Sequence, residues 1–392
     1  MTFFLLPRAN LFLYKQIEYK EKIDDNKYSP SLTNYLYNIK EKITSKEKQW
    51  NSYKKYTNPY EYIHSLVPNK KKSVSKYKPL SRSFFKMVEI IQTFRIQYRE
   101  PINTFHLAEG PGGFIEAIAY LRNCKKDSYI GMTLLDSDKN DYNIPAWKKS
   151  DMFLKDNPNV FLENGANNTG DLLSIENFEY VISKYASRKM DIVTADGGFD
   201  FSLDFNKQEQ MIGKLLYAQM AYALCLCKKG GNFFLKIFDC FMPHTVDILY
   251  LLSSFFEKVY IIKPNTSRYA NSEKYIICMG FLYNDHTLFY PYLLEGFRKM
   301  CDNLNEPTGR FLNINISQIF LKKIQEYNAI FGQLQIQNIT YTLSLIDNKN
   351  KMYKIDNLLY TNIQKSMDWC NKFHIPFNSL NTHSNIFLIN EE

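Results

Sequence analysis

The chain has 392 residues and is 45% hydrophobic, enough for one core domain with one or two additions. Its net charge of +9 is uneven: residues 1–80 hold 16 Lys/Arg against 7 Asp/Glu, and the remaining 312 residues are balanced. Seven cysteines, at 124, 225, 227, 240, 278, 301 and 370, form no CxxC pair, which argues against a disulfide framework or a structural zinc site, and no apolar run reaches the roughly 18 residues of a membrane span.

In chain order, MTFFLLPRANLFLY is apolar but has neither a basic leader nor a small-residue cleavage site, and reads as a segment that docks or anchors. Residues 1–80 form a Lys/Tyr-rich extension with lysine runs at Lys54-Lys55 and Lys70-Lys71-Lys72, broken by Pro59, Pro68 and Pro79. A basic surface of this kind attracts polyanions, or is simply a solvated lysine-rich face. The 29 Tyr and 29 Phe against 3 Trp fit base-stacking surfaces or an AT-rich coding sequence.

Residues 81–290 alternate strand runs with helical patterns, which predicts an α/β, Rossmann-like, mostly parallel sheet with helices on both faces. SRSFFKMVEIIQTFRI reads as an amphipathic helix, TFHLAEG as a strand entering a turn, and GGFIEAIAYLR as the helix after it. SYIGMTLL and MDIVTADGG are strands, and KQEQMIGKLLYAQMAYALCLCKKGG is a long helix closed by its glycine pair. NFFLKIF is a strand and MPHTVDILYLLSSFF a helix. KVYIIKP and KYIICMGFLY are expected to pair as a hairpin at one edge of the sheet. Residues 291–392 read as a mainly helical C-terminal region.

Chemistry concentrates in the middle region. HLAEGPGGFIEA is a strand, a glycine turn and a helix, the ligand-binding layout of doubly wound folds. The turn lets backbone approach a ligand, and the helix start offers free N–H groups to a carboxylate; a tight turn with no ligand is the alternative. Asp196 ends a central strand in TADGG, where open α/β sheets bind ligands, or else caps a helix. Lys236 lies inside NFFLKIF, a costly place for a lysine that is neither paired, functional nor snorkelling at a sheet edge. Glu273 opens the last strand, and Lys86 sits on the first helix. No metal-ligand cluster is visible.

Lys86, Asp196, Lys236 and Glu273, in that order, resemble the Lys-Asp-Lys-Glu tetrad of the FtsJ-type RNA 2′-O-methyltransferases. GPGGFIEA, GMTL, ADGGF, GGNFFLKIFDCF and KPNTSRYANSEKYIICMGF look like the cap-specific mRNA branch found in eukaryotes and large DNA viruses, over about residues 81–285. The resemblance implies S-adenosylmethionine as methyl donor and a ribose 2′-hydroxyl of RNA as acceptor, at the first transcribed nucleotide of capped mRNA. It implies Lys236 as base or steering group within the tetrad. It also implies a cofactor site of Glu109, Gly110, Pro111, Gly112, Gly113, Phe114, Asp171 and Asp196, with Asp171 near the adenine. One position departs: His106 stands where the family usually has an aspartate, and Glu109 or another contact would have to cover it.

Ribosomal or other internal RNA remains an alternative substrate, and a non-catalytic RNA-binding subunit an alternative role. Expected partners are RNA and other capping or transcription proteins, with no membrane. The expected setting is cytoplasmic, at a viral replication site or in a virion for a viral protein, or nuclear for a cellular one.

Overall fold

The computed structural model describes residues 1–20, 27–136, 144–198, 206–304, 306–348 and 351–380. From the N-terminus, β1 (Thr2–Leu5) and β2 (Ile17–Lys20) precede α1 (Pro30–Thr44) and α2 (Glu47–Tyr53). The middle then alternates through α3 (Ser83–Thr93), β3 (Asn103–Leu107), α4 (Gly113–Arg122), β4 (Ser128–Met132), α5 (Asp151–Asp156) and β5 (Val160–Glu163). It continues with α6 (Ile175–Lys184), β6 (Met190–Ala195), α7 (Gln208–Leu226), β7 (Cys227–Ile237), α8 (Pro243–Phe255), β8 (Phe256–Lys263) and β9 (Lys274–Phe281). Last come α9 (Tyr290–Cys301), β10 (Arg310–Leu312), α10 (Gln318–Asp347) and α11 (Lys351–Lys372).

Among the described residues the main sheet has the order β1-β8-β9-β7-β6-β3-β4-β5. The run from β7 to β5 is parallel, and β9, β8 and β1 extend it antiparallel. This is the α/β, mostly parallel Rossmann-like architecture that the alternation implies, with a helical C-terminal region.

Two expectations need correction. The β8–β9 hairpin does form, but it is not the edge. β9 is inserted beside β7, and β1 pairs with β8 from Thr2 opposite Lys263 to Leu5 opposite Tyr260. The apolar N-terminal segment thus supplies the outermost strand. The glycine pair does not stop α7 either. The helix ends at Leu226, and Cys227 is already extended (φ −63°, ψ 137°), so the chain passes straight into β7. Gly230 (φ +77°) sits inside that strand, where the pairing with β6 shifts register between Met190 and Ile192. A bulge that needs positive φ accounts for glycine there.

The two-residue period of the strands sorts side chains between two apolar layers. Phe233, Leu235 and Ile237 of β7 join the layer of α7 and α8, whereas Phe234 joins Phe84, Phe114, Ile192, Tyr275 and Ile277 on the other face. Lys236 shares Phe234's parity and so lies on the α3 side of the sheet.

Both ends of the chain belong to these layers. Leu6, Leu13 and Tyr14 pack with Phe320, Ile324 and Phe331 beneath α7 and α8, while Tyr62, Val67 and Val74 pack with Trp369 and Phe373 against α3. Leu36, Trp50, Phe241 and Ile339 form a third cluster between α1, α2 and α10.

A buried charge fixes the C-terminal addition. Asp247 of α8 is fully buried and accepts from Arg310 Nε at 3.0 Å and Nη2 at 2.6 Å, and from the backbone N–H groups of Phe311 and Leu312. Replacing Arg310 by Met leaves that carboxylate unpaired and is expected to destabilise the protein by about 3–5 kcal/mol, read as a lowered urea midpoint. A loss under about 1 kcal/mol would mean the pair behaves like a surface salt bridge.

Candidate active site

The site lies at the carboxyl ends of the parallel strands, where several of the residues singled out from sequence meet around a cavity of about 550 Å³, with Glu273 just behind its lining. Its lining includes Lys86, Glu109, Gly110, Asp171, Asp196 and Lys236.

Two ion pairs define its floor. Lys236 Nζ stands 3.2 Å from Asp196 Oδ1 and donates to the Asp196 carbonyl at 2.7 Å. Lys86 Nζ stands 2.7 Å from Glu273 Oε1. Burial alone would raise the Glu273 carboxyl, but Lys86 and Lys236 outweigh it and hold it down at about 2. Side-chain exposures of 9–18% across the four place the charges where desolvation would be severe without partners.

Tyr275 joins the two pairs, and the sequence reading missed it. Its hydroxyl donates to Asp196 Oδ1 at 3.1 Å and lies 3.5 Å from Lys86 Nζ. Burial and the neighbouring carboxylates push this phenol well above its ordinary value, so it stays a donor. The signal was present in the spacing: Tyr275 follows Glu273 by two, and β9 sets it opposite Lys236.

The supports are buried as well. Gln219 of α7 accepts from the Gly197 N–H at 3.0 Å, so the turn after Asp196 hangs on that helix. Glu89, three residues beyond Lys86 on α3, accepts from the N–H groups of Asn265 and Thr266 at 2.9 and 3.1 Å. Lys263 donates to the carbonyls of Asn271 and Glu273 at 2.7 and 2.9 Å. Ser267 Oγ donates to Glu273 Oε1 at 2.9 Å. The turn that delivers Glu273 is therefore held from several sides. Phe199, the last residue of the ADGGF motif, lies outside the described residues.

The glycine turn is only partly as expected. Glu109, Gly110 and Pro111 line the cavity, but Gly112, Gly113 and Phe114 do not. Gly112 (φ +110°) reverses the chain beneath Leu80 and Trp147, Gly113 is packed on Ser81 and Ser83, and Phe114 is fully buried in the core. The N-terminus of α4 is not open to a ligand carboxylate, because Glu109 Oε1 accepts from the N–H groups of Phe114 and Ile115 at 2.7 and 2.9 Å. His106 is fully buried between Thr104 Oγ1 and Thr194 Oγ1, each 2.8 Å from a ring nitrogen, and burial lowers it to about 3. It is a neutral core histidine and does not line the cavity.

The remaining lining fits a nucleoside-sized ligand. Glu109 Oε2 is buried without a partner. A Cβ at Gly110 would lie 2.5 Å from the Ala146 carbonyl, so backbone there is in close approach to the facing loop. Asp171 Oδ1 accepts from the Leu173 N–H at 2.9 Å, fixing the carboxylate at the cavity wall. Among the described residues no group of three or more His, Cys, Asp or Glu could hold a metal ion. A second cavity of about 290 Å³ shares Phe238 with the first and is lined by Lys40, Trp50, Lys54, Arg268, Asn271 and Gln335, among others.

Residues 79–281 match the model of the FtsJ-like methyltransferases. The chain belongs to that family. Curated relatives include cap-specific mRNA (nucleoside-2′-O-)-methyltransferase 2 of Danio rerio, 28% identical over 340 residues that cover 80% of this chain and 43% of the relative. The enzyme of the same name from Pongo abelii is 28% identical over 89% of this chain and 46% of its own length. Cap-specific mRNA (nucleoside-2′-O-)-methyltransferase 1 of Trypanosoma brucei brucei (strain 927/4 GUTat10.1) is 33% identical over 49% of this chain and 52% of its own length. The chain spans about half the length of these relatives.

Glu109 gives a test of the site's electrostatics. Burial pushes its carboxyl up to about 8, against two backbone N–H donors that pull the other way. Because the folded value lies above the unfolded one, its contribution is full below about pH 4.3 and is lost as pH rises to about 8. Glu109→Gln keeps the acceptor for Phe114 and Ile115 and removes the charge. The variant is expected to melt higher than the parent at pH 8 and to match it at pH 4. A lower melting temperature at pH 8 would show that Glu109 is stabilised as the anion.

Proposed function

We propose that this chain transfers a methyl group from S-adenosylmethionine to a ribose 2′-hydroxyl of RNA, at the first transcribed nucleotide of capped mRNA (cap-0 to cap-1). The observation that carries the reading is the convergence of Lys86, Lys236 and Asp196 on one cavity beside the Glu109–Pro111 turn, with Glu273 behind the lining as the counter-charge of Lys86. Family membership supports methyl transfer, and the names of the relatives support a capped mRNA substrate.

When bound, the cofactor supplies a methyl group already activated on a sulfonium. The protein then has to hold the acceptor in line and manage one proton. Gly110, Pro111 and Asp171 are the residues that would hold the cofactor, with Glu109 Oε2 as the unpartnered polar atom beside them. Lys236 would steer the hydroxyl or take its proton, because Asp196 holds its amine at the cavity from two sides, through Oδ1 and the backbone carbonyl. Lys86, balanced by Glu273, sets the field around that position, and Tyr275 keeps Asp196 turned toward Lys236.

The second cavity supports a capped substrate. It adjoins the first at Phe238 and sets the largely buried Trp50 beside Lys54 and beside Lys40 and Arg268, the last two of which already have a carboxylate partner, a mixture compatible with a base with phosphates attached. Three of these four residues come from the basic N-terminal extension.

Lys236→Ala is expected to lower transfer to capped RNA by at least about a hundredfold, the scale of a lost general acid–base group. S-adenosylmethionine should still raise the melting temperature of the variant as it does the parent's. Undiminished transfer by the variant would refute the role given to Lys236.

A further inference from the structure

The N-terminal extension contributes a buried carboxylate next to the site, and nothing in the proposed chemistry uses it. Glu61 opens a short 3₁₀ turn and is fully buried. Its Oε1 accepts from Arg268 Nη2 at 2.6 Å and Ser65 Oγ at 2.8 Å. Its Oε2 accepts from Arg268 Nε at 3.0 Å and Asn58 Nδ2 at 2.7 Å, with Arg82 Nη2 at 3.5 Å. Burial opposes this charge, but Arg268 and Arg82 outweigh it and hold the carboxyl well below its ordinary range.

The two arginines belong to the two segments that deliver one half of the tetrad. Arg82 precedes Lys86 by about one helical turn and donates to the Thr266 carbonyl at 3.2 Å. Arg268 precedes Glu273 by five residues in the turn that Ser267 ties to the Glu273 carboxylate. Both guanidinium groups also feel the Glu273 charge. An alternating series of charges thus runs from Glu61 through the arginines to Glu273 and Lys86. Without Glu61, two delocalised cations would compete with Lys86 for Glu273.

We propose that Glu61 is a positioning residue: by engaging Arg82 and Arg268 together, it holds the α3 segment against the 264–273 turn and reserves Glu273 for Lys86. The inference rests on the reading of Lys86 and Glu273 as catalytic groups. It gives the extension a second task beside any contact with RNA.

The test uses the full chain with Glu61→Gln and Glu61→Asp, the second keeping the charge on a shorter arm. Methyl transfer to capped RNA is measured well below the melting temperature. For Glu61→Gln, kcat should fall roughly ten- to hundredfold, the scale of an angstrom-sized misplacement of a reacting group, while KM for S-adenosylmethionine stays within about threefold. Glu61→Asp should fall in between.

Backbone hydrogen exchange supplies a readout that needs no activity. Amides 265–273 should exchange faster in both variants while those of β6 and β7 stay protected. Parental kcat in the folded variants would overturn the proposal, as would unchanged exchange in 265–273. A parent that methylates no RNA would instead refute the function proposed above, and the exchange result would still decide the placement of the turn. Should Glu61→Gln not fold, Glu61→Asp decides alone on the same two readouts.

Discussion

A lysine amine inside a sheet has to be given a counter-charge, and this molecule is organised around doing so for Lys236. The strand parity that buries Phe234 turns Lys236 to the same face. Asp196, at the end of the neighbouring strand β6, is the partner within reach. Once those two are joined, the geometry of the rest is restricted. Tyr275 stands opposite Lys236 and closes on Asp196, and Lys86 and Glu273 form the second pair beside it. The cavity is thus lined by Lys86, Asp196 and Lys236, with Glu273 behind them, and the charges of the four neutralise each other while the Lys236 amine still faces the cavity.

Such an arrangement depends on turns that cannot drift. The turn bearing Glu273 is held by Glu89 from α3, by Lys263 at the end of β8 and by Glu61 from the extension. Lys263 is pushed down to about 7 by burial and by the nearby lysines Lys274 and Lys86, against Glu273 and Asp239. Asp239 is in turn fixed between Lys40 of α1, at 3.2 Å, and Lys274, at 3.4 Å. The regions outside the matched family segment therefore supply counter-charges to the residues around the cleft, as well as apolar contacts to its layers.

Much of this was legible in the sequence because it followed from periodicity and from residues in improbable places. A lysine within NFFLKIF and an aspartate at a strand end stand out, alternation of strands and helices points to the fold class, and it is the family resemblance that joins them to Lys86 and Glu273. What stayed hidden depended on contacts distant along the chain. Nothing local says that MTFFL becomes an edge strand beside β8, or that Glu61 meets Arg268. Glu109 was expected to face a ligand, yet one of its oxygens caps α4, because the first N–H groups of that helix needed an acceptor. His106 departs from the family pattern in sequence, and the two threonine hydroxyls that satisfy it make it a core residue.

The most direct test is methyl transfer from labelled S-adenosylmethionine to a matched set of short RNAs. The set is capped, uncapped, and capped with the first or the second nucleotide already 2′-O-methylated. The account predicts incorporation into the capped RNA and into the one premethylated at the second nucleotide, with none into the uncapped RNA or the one premethylated at the first. Incorporation that persists when the first nucleotide is already methylated, or that ignores the cap, would contradict it.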